Sequence, residues 1–372
     1  MNETEQRLIN LFSWLFFVCK WTGFTSYSLV NDPGDKNQDR KIFKRTGVSI
    51  FINIVIITLL VLLIDVRTCV GTSDSVNNVS TLIALTIDAL YFVVLVLIMN
   101  FKQTRVVSIF YRLVAFGELV EEITRRKIDE SKVQRFLRIY VFVVYSSLVV
   151  MLATNWWQAI NINPFLLFWL LKDTFLRFVS FSGEILIFYY MFIAITIARK
   201  FNGFLKEADV VERKQIKQIF QTYCDLKHDI QNITQVIIFF KIVWLIIELA
   251  ITFYQIIILG QSSDEEPYLD SPITLVYWIF ELSLEVCLLL CPFIVYYRET
   301  SMTFFLYDDI QNDSLGLDYK EREIFYLQTQ VKRLKFTTHG LLELDWPLFY
   351  TVAALVCTYL VYLVQFQQLS RV

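Results

Sequence analysis

The sequence predicts an all-α, polytopic membrane protein with seven transmembrane helices, a cytoplasmic amino terminus and an extracellular carboxyl terminus. Of the 372 residues, 56% are hydrophobic, 16% aromatic and 19% charged, which is too apolar for a soluble domain of this length. Apolar runs of roughly 20 residues, enough to cross about 30 Å of hydrocarbon, recur along the chain. The lysines and arginines are concentrated in alternate connecting segments. Their distribution therefore predicts the topology.

The predicted spans divide the chain into two parts. Residues 1–45 form a cytoplasmic segment with a short interfacial helix, and 46–372 form the seven-helix domain, with cytoplasmic helical extensions at 199–234 and 298–345. Charges at Lys172, Asp173 and Arg177 interrupt the apolar run before span four and are placed at the outer rim, which leaves an eighth span there as an alternative. The predicted spans are 46–66, 78–99, 137–156, 175–198, 235–259, 273–297 and 346–366.

The orientation follows from the basic residues between the spans. With the amino terminus inside, the four cytoplasmic segments hold seven, eight, seven and six lysines and arginines, a total of 28. The outer segments hold four, and Arg138 and Lys241 lie within spans. Such a bias strongly favours a cytoplasmic amino terminus. It also places the Asn78 sequon at the outer surface, although the sequence does not decide whether Asn78 is glycosylated.

Catalytic chemistry has little support in this sequence. Its two histidines, His228 and His339, fall on different predicted cytoplasmic segments. The six cysteines lack the spacing of metal ligands, and no nucleotide-binding or nucleophile motif occurs. We therefore predict no enzyme, no cofactor, no metal site and no nucleic-acid partner.

An apolar seam precedes span five at alternating spacings of three and four residues. This pattern predicts a helix that continues without a break into the membrane span. Its partner is either the rest of the same chain or a second subunit. The seam consists of Ile216, Ile219, Tyr223, Leu226, Ile230, Ile233 and Ile237, and a shorter one precedes span seven at Ile324, Leu327, Val331 and Leu334.

Ionisable residues inside the spans are costly in hydrocarbon and need a partner, a cavity or water. Lys241 and Glu248 share a face of span five, and Glu281 and Glu285 share a face of span six. Two interpretations remain open. Either these charges pair between helices, with Lys241 reaching toward the cytoplasmic surface, or they line a ligand cavity. The full set is Asp88, Glu184, Lys241, Glu248, Glu281 and Glu285.

The outer halves of spans three to six combine aromatic side chains with a few polar ones. Rings supply apolar area, and an amide or carboxylate fixes the orientation of a bound small molecule. Aromatic residues also belt the membrane interface in most membrane proteins, so only the whole cluster is informative. The predicted ligand-binding residues are Asn155, Trp156, Phe178, Glu184, Glu248, Tyr254, Trp278 and Glu281.

The last span contains a short motif. Residues 358–366 read TYLVYLVQF, which resembles the signature of insect gustatory receptors, Thr-Tyr followed by five hydrophobic residues and Gln-Phe. All four fixed positions match: Thr358, Tyr359, Gln365 and Phe366. The motif coincides with the last of seven spans and with a cytoplasmic amino terminus. The resemblance is specific at this end and topological elsewhere.

The resemblance implies a ligand-gated, non-selective cation channel in the plasma membrane of gustatory receptor neurons. It implies a homo- or hetero-tetramer whose last helices line a central pore, so that Thr358, Tyr359, Gln365 and Phe366 belong to the pore and gate. Monovalent cations would pass, with divalent cations left open, and a small-molecule tastant would bind in the outer half of each subunit. The predicted pocket is richer in rings than in polar groups, which favours bitter or pheromone-like compounds over sugars.

Two other classes of membrane protein are alternatives. A small-solute transporter could use the buried carboxylates for coupling, but the sequence shows no internal repeat and no pair of broken helices. A G-protein-coupled receptor would need the opposite orientation. It would also carry Asp/Glu-Arg-Tyr after span three and Asn-Pro-x-x-Tyr in span seven, and neither motif occurs.

Overall fold

Long helices dominate the part of the chain that the structure, a computed structural model, describes. The backbone alone is described for 164–182, 213, 255–256, 258–261 and 366–370 and for two short strands near the amino terminus. The described residues are 9, 27–31, 41–45, 86, 90–99, 101–127, 134–153 with gaps, 164–207, 212–261, 282, 289–306 and 335–370.

Two of the helices are longer than the membrane is thick. At 1.5 Å per residue, a helix of 44 residues is roughly 66 Å long and one of 49 residues roughly 74 Å, about twice the hydrocarbon thickness. A helix of this length that crosses the bilayer must therefore continue well beyond it. The helices are α1 (Leu90–Met99), α2 (Gln103–Thr124), α3 (Pro164–Glu207), α4 (Arg213–Gln261), α5 (289–306) and α6 (Trp346–Ser370).

Membrane-spanning helices can be recognised within the described ranges by length and composition. Lys214–Tyr254 and Trp346–Gln365 are each long and apolar enough to cross a bilayer. A bent pair, α1 and α2 at 63°, brings the number to three if the pair counts as one span. Much of predicted spans one, two, three and six lies outside the described residues.

Two antiparallel hairpins interrupt the helical architecture, and the all-α prediction missed both. The first pairs β1 (Tyr27–Asn31) with β2 (Lys41–Arg45), and the second pairs β3 (Thr337–Thr338) with β4 (Leu342–Glu343). His339 and Gly340 turn the second hairpin with φ of 52° and 74°. Consecutive residues with positive φ are typical of tight hairpin turns. A strand of two residues is too short to show a periodicity of two.

The second hairpin contacts α4 and lies directly before the start of α6. Gln231 on α4 donates from Nε2 to the carbonyl and the hydroxyl oxygen of Thr337, at 3.0 and 2.9 Å. Lys335 bonds to Glu343 at 2.9 Å and to Asp345 at 3.2 Å, directly before α6 begins. These hydrogen bonds, the one to Glu343 first, raise the pKa of Lys335, so this side chain remains a cation at physiological pH.

The seam on α4 is buried within a single chain. All seven of its side chains, from Ile216 to Ile237, belong to the core, and one uninterrupted helix carries them into the membrane span. The predicted continuity is confirmed. Of the two partners left open, the structure selects the same chain, because no exposed seam is left for a second subunit. The shorter seam before span seven lies outside the described residues.

A largely buried polar network around Tyr223 joins α3, α4 and α5. The Thr303 hydroxyl donates to Asn202 Oδ1 at 2.6 Å and lies 3.1 Å from the Tyr223 hydroxyl. Asn202 Nδ2 donates to the Glu299 carbonyl at 2.9 Å, and Arg199 pairs with the Glu299 carboxylate at 2.7 Å. Since buried polar groups are costly when unpaired, this network fixes one register among the three helices.

We expect Thr303→Val to destabilise the receptor by about 1–3 kcal/mol, because it leaves the buried Asn202 amide oxygen and Tyr223 hydroxyl without their shared partner. The matched control is Thr222→Val, since Thr222 makes the same local bond to a carbonyl one turn back but is only partly buried. Thermal unfolding of both purified variants in detergent tests the expectation. Equal melting temperatures would show that the network contributes nothing to stability.

Candidate functional site

Three of the eight predicted ligand-binding residues have described side chains. Glu184 lies on α3, while Glu248 and Tyr254 lie on α4. The Tyr254 ring is fully buried, and Glu248 is partly exposed. The other five lie outside the described residues or, for Phe178, are described by backbone alone: Asn155, Trp156, Phe178, Trp278 and Glu281.

Glu184 belongs to a cluster that we call the Lys241 cage: Tyr91, Glu184, Lys241 and Trp244. Glu184 Oε1 lies 3.1 Å from the Lys241 ammonium and accepts a hydrogen bond of 2.7 Å from the Tyr91 hydroxyl. The ammonium also lies 4.1 Å from the Trp244 ring centre and 5.1 Å from that of Tyr91. These contacts join α1, α3 and α4.

The cage decides between two interpretations of Lys241. Its side chain is only 3% exposed, so the idea that it reaches toward the cytoplasmic surface is wrong. Pairing between helices is what the structure shows, and Glu184 is the carboxylate that provides it. Glu184 thus has a structural partner, although its side chain keeps 21% exposure. Asp88, Glu281 and Glu285 lie outside the described residues.

A small apolar cavity of about 10 Å³, room for roughly one water molecule, opens between α1, α2, α3 and α4. Met99, Leu186, Tyr190 and Ile233 contribute to its walls, and none of the predicted ligand-binding residues does. The Tyr190 hydroxyl already donates to the Val106 carbonyl at 3.0 Å. Because this wall group is bonded within the protein, we interpret the cavity as a packing gap and not as the ligand site.

The last helix, α6, is buried along one narrow stripe that includes Val352, Val356 and Leu363. Only 22% of its span is buried within the chain, against 50% for the span in α4. Thr358 and Gln365 lie on the uncovered surface, while Tyr359 packs against the core. Phe366 is described by backbone alone. The uncovered surface must therefore contact lipid or other subunits.

A comparison of the sequence with known protein families agrees with the helical membrane architecture. The family described as "7tm Chemosensory receptor" matches residues 12–370, nearly the whole chain. The chain belongs to this family. The predicted class, a helical multi-pass membrane protein, is thereby confirmed, and membership in a receptor family supports a non-enzymatic role for this chemosensory receptor. No individual curated protein matches the sequence.

Two solved structures of an insect olfactory receptor share the fold of this chemosensory receptor. The receptor is OR5 from Machilis hrabei. Its complex with eugenol aligns with a TM-score of 0.68 and 12% identity over 96% of this chain and 99% of that one. A second structure of OR5 aligns with a TM-score of 0.66 and 11% identity, again over 96% of this chain and 99% of that one. At such low identity the likeness establishes the fold alone, and no ligand contact transfers from it.

Two members of the cage, Tyr91 and Trp244, were missed as site residues in the sequence. A signal existed for Trp244, because a residue three positions after Lys241 lies on the same face of a helix. Nothing in the sequence distinguished Tyr91 from the many other aromatic residues of the spans.

Proposed function

We propose that this chemosensory receptor is a gustatory-type, ligand-gated, non-selective cation channel in which α6 lines the pore. The observation that carries the proposal is the TYLVYLVQF segment on a helix that the rest of the chain leaves mostly uncovered. Thr358 and Gln365 place polar groups on that uncovered surface, where several copies around an axis would present them to a hydrated cation.

A homo- or hetero-tetramer is the proposed assembly. The broad uncovered surface of α6 supports association through this helix. The α4 seam does not contribute, because its side chains are already buried within one chain. We propose the plasma membrane of gustatory receptor neurons as the location.

The proposed ligands are small apolar compounds, bitter or pheromone-like, that bind in the outer half of each subunit. Eugenol in complex with a protein of the same fold supports a small-molecule ligand in general terms. The preference for apolar compounds rests on the ring-rich set predicted from the sequence. A screen of chemically diverse tastants on cells that express the receptor tests it, and responses confined to sugars would contradict it.

Once an agonist is known, Trp278→Ala or Glu281→Ala should weaken the response while surface expression stays normal. The ring would no longer supply apolar area, or the carboxylate would no longer orient the ligand. Phe142→Ala is the control, because that ring is 72% exposed on predicted span three and is not one of the proposed pocket residues. Loss of surface expression in the two pocket variants alone would show that these residues serve packing.

The proposed topology predicts a simple labelling result. An epitope inserted between α3 and α4, after Glu207, should be reachable only in permeabilised cells, because basic residues flank this connection. An epitope added after Val372 should be reachable on intact cells. The reverse pattern would show that the protein has the opposite orientation in the membrane, and the proposed ligand site would then not be at the outer surface.

We also propose a different inner edge of the membrane on α3. Ile233 and Thr234 on α4 line the same cavity as Tyr190 on α3. If span five begins at residue 235, the same depth on α3 lies near Tyr190 and not at residue 198. We therefore propose that the cytoplasmic part of α3 begins near Tyr190, which leaves the Lys241 cage within the hydrocarbon.

A further inference from the structure

The Lys241 cage has the components of a binding site for an ammonium ion. Trp244 and Tyr91 present their rings to the cation at 4.1 and 5.1 Å, and Glu184 provides the anion at 3.1 Å. Aromatic rings with a nearby carboxylate are how proteins bind ammonium ligands, because the ring faces are negative and replace part of the water shell. Here the ammonium belongs to the protein itself.

The cage components come from three separate helices. Tyr91 lies on α1, Glu184 on α3, and Lys241 and Trp244 on α4. The Tyr91 hydroxyl and the Lys241 ammonium bond to the same oxygen, Glu184 Oε1. A cation in this position therefore contacts all three helices at once. Its removal would leave the mostly buried Glu184 carboxylate and two ring faces without the charge they surround.

We propose that the cage is a binding site for a primary alkylammonium ion, that Lys241 fills it as a tethered ligand, and that its occupancy holds α1, α3 and α4 in register. A plain ion pair would need only Glu184 and Lys241. The cage needs the rings as well, so the two accounts differ in what Trp244 contributes. The Glu184 side chain keeps 21% exposure, so the site is not completely enclosed.

The test replaces the tethered cation with a free one. Lys241→Ala removes the three outer methylenes and the ammonium. The n-propylammonium ion has the same three carbons and one nitrogen. We expect millimolar n-propylammonium to raise the melting temperature of the purified Lys241→Ala protein by several degrees. The wild-type protein, whose cage is filled, should not respond. The neutral n-propanol should have no effect on either protein.

A second variant separates the cage from a plain ion pair. Adding Trp244→Leu to Lys241→Ala should abolish most of the response to n-propylammonium, and an undiminished response would leave only the ion pair. No shift in Lys241→Ala, or an equal shift in the wild-type protein, would overturn the proposal.

Poor folding of Lys241→Ala does not block the test. In that case n-propylammonium in the growth medium should increase the folded yield of the variant, and no increase would count against the cage. Lys241→Met keeps the stem but not the charge, and should melt below the wild type without responding to the amine. A Met variant as stable as the wild type would also overturn the proposal. These measurements need no agonist or current, so their failure is distinguishable from failure of the channel proposal.

Discussion

Glu184→Ala should destabilise the receptor by about 3–5 kcal/mol, the usual cost of removing one partner from a buried ion pair. Lys241 would then remain buried next to two rings and would lose its contact with the Glu184 carboxylate. The loss should appear as a lower melting temperature in detergent and as reduced surface expression in cells. The effect is large because a charged side chain within the spans is costly in hydrocarbon once its carboxylate partner is removed.

Two controls define this effect. Glu207→Ala breaks the ion pair between Glu207 and Arg126, two side chains that are 61% and 60% exposed. It should lower the free energy of unfolding by no more than about 1 kcal/mol. The double variant Glu184→Ala/Lys241→Met removes both charges and should recover part of the stability lost in Glu184→Ala. A Glu184→Ala protein no less stable than Glu207→Ala would contradict a structural role for the pair.

Phe366→Ala should raise the current that flows without ligand by about tenfold, which corresponds to about 1.4 kcal/mol in the closed–open equilibrium. In the proposed topology α6 reaches the outer surface at Gln365 and Phe366, where four copies would form a narrow ring. A ring of phenylalanines opposes ion passage by dewetting, and alanine widens it. Whole-cell current without ligand, normalised to surface expression, measures the effect.

Gln365→Ala should change a different quantity, the conductance or the preference among cations. Adjacent helical residues point about 100° apart, so a modest rotation of α6 would exchange Phe366 for Gln365 at the pore axis. Phe349→Ala on the same helix is the matched control, because it removes a ring near the cytoplasmic end. If Phe366→Ala and Gln365→Ala both keep normal basal current and ion selectivity, at normal surface levels, the gate lies elsewhere.

The sequence predicted the long helices well, because their signals are local. The spacing of Ile216, Ile219 and Tyr223 is set by one helix face, and that face is buried. The β3–β4 hairpin was missed because a two-residue strand has no periodicity, although His339-Gly340 is a turn signal that could have been read. The uncovered surface of α6 could not be predicted, since burial depends on which helices pack together.

For the site, the sequence predicted that a partner was needed and not which one. Lys241 in hydrocarbon requires an anion, and several carboxylates lie in the spans. Glu248 shares its helix face and Glu184 lies on a different helix, yet Glu184 makes the described ion pair. That choice depends on how α3 and α4 pack against each other, which local patterns do not encode.

Purified receptor in a planar lipid bilayer, with different cation concentrations on the two sides and no other protein, tests whether this chain forms an ion-conducting pore opened by a ligand. We expect discrete current steps whose frequency rises with agonist and whose reversal potential follows the cation gradient. Agonist binding without current steps, or agonist taken up across the membrane without them, would contradict this expectation.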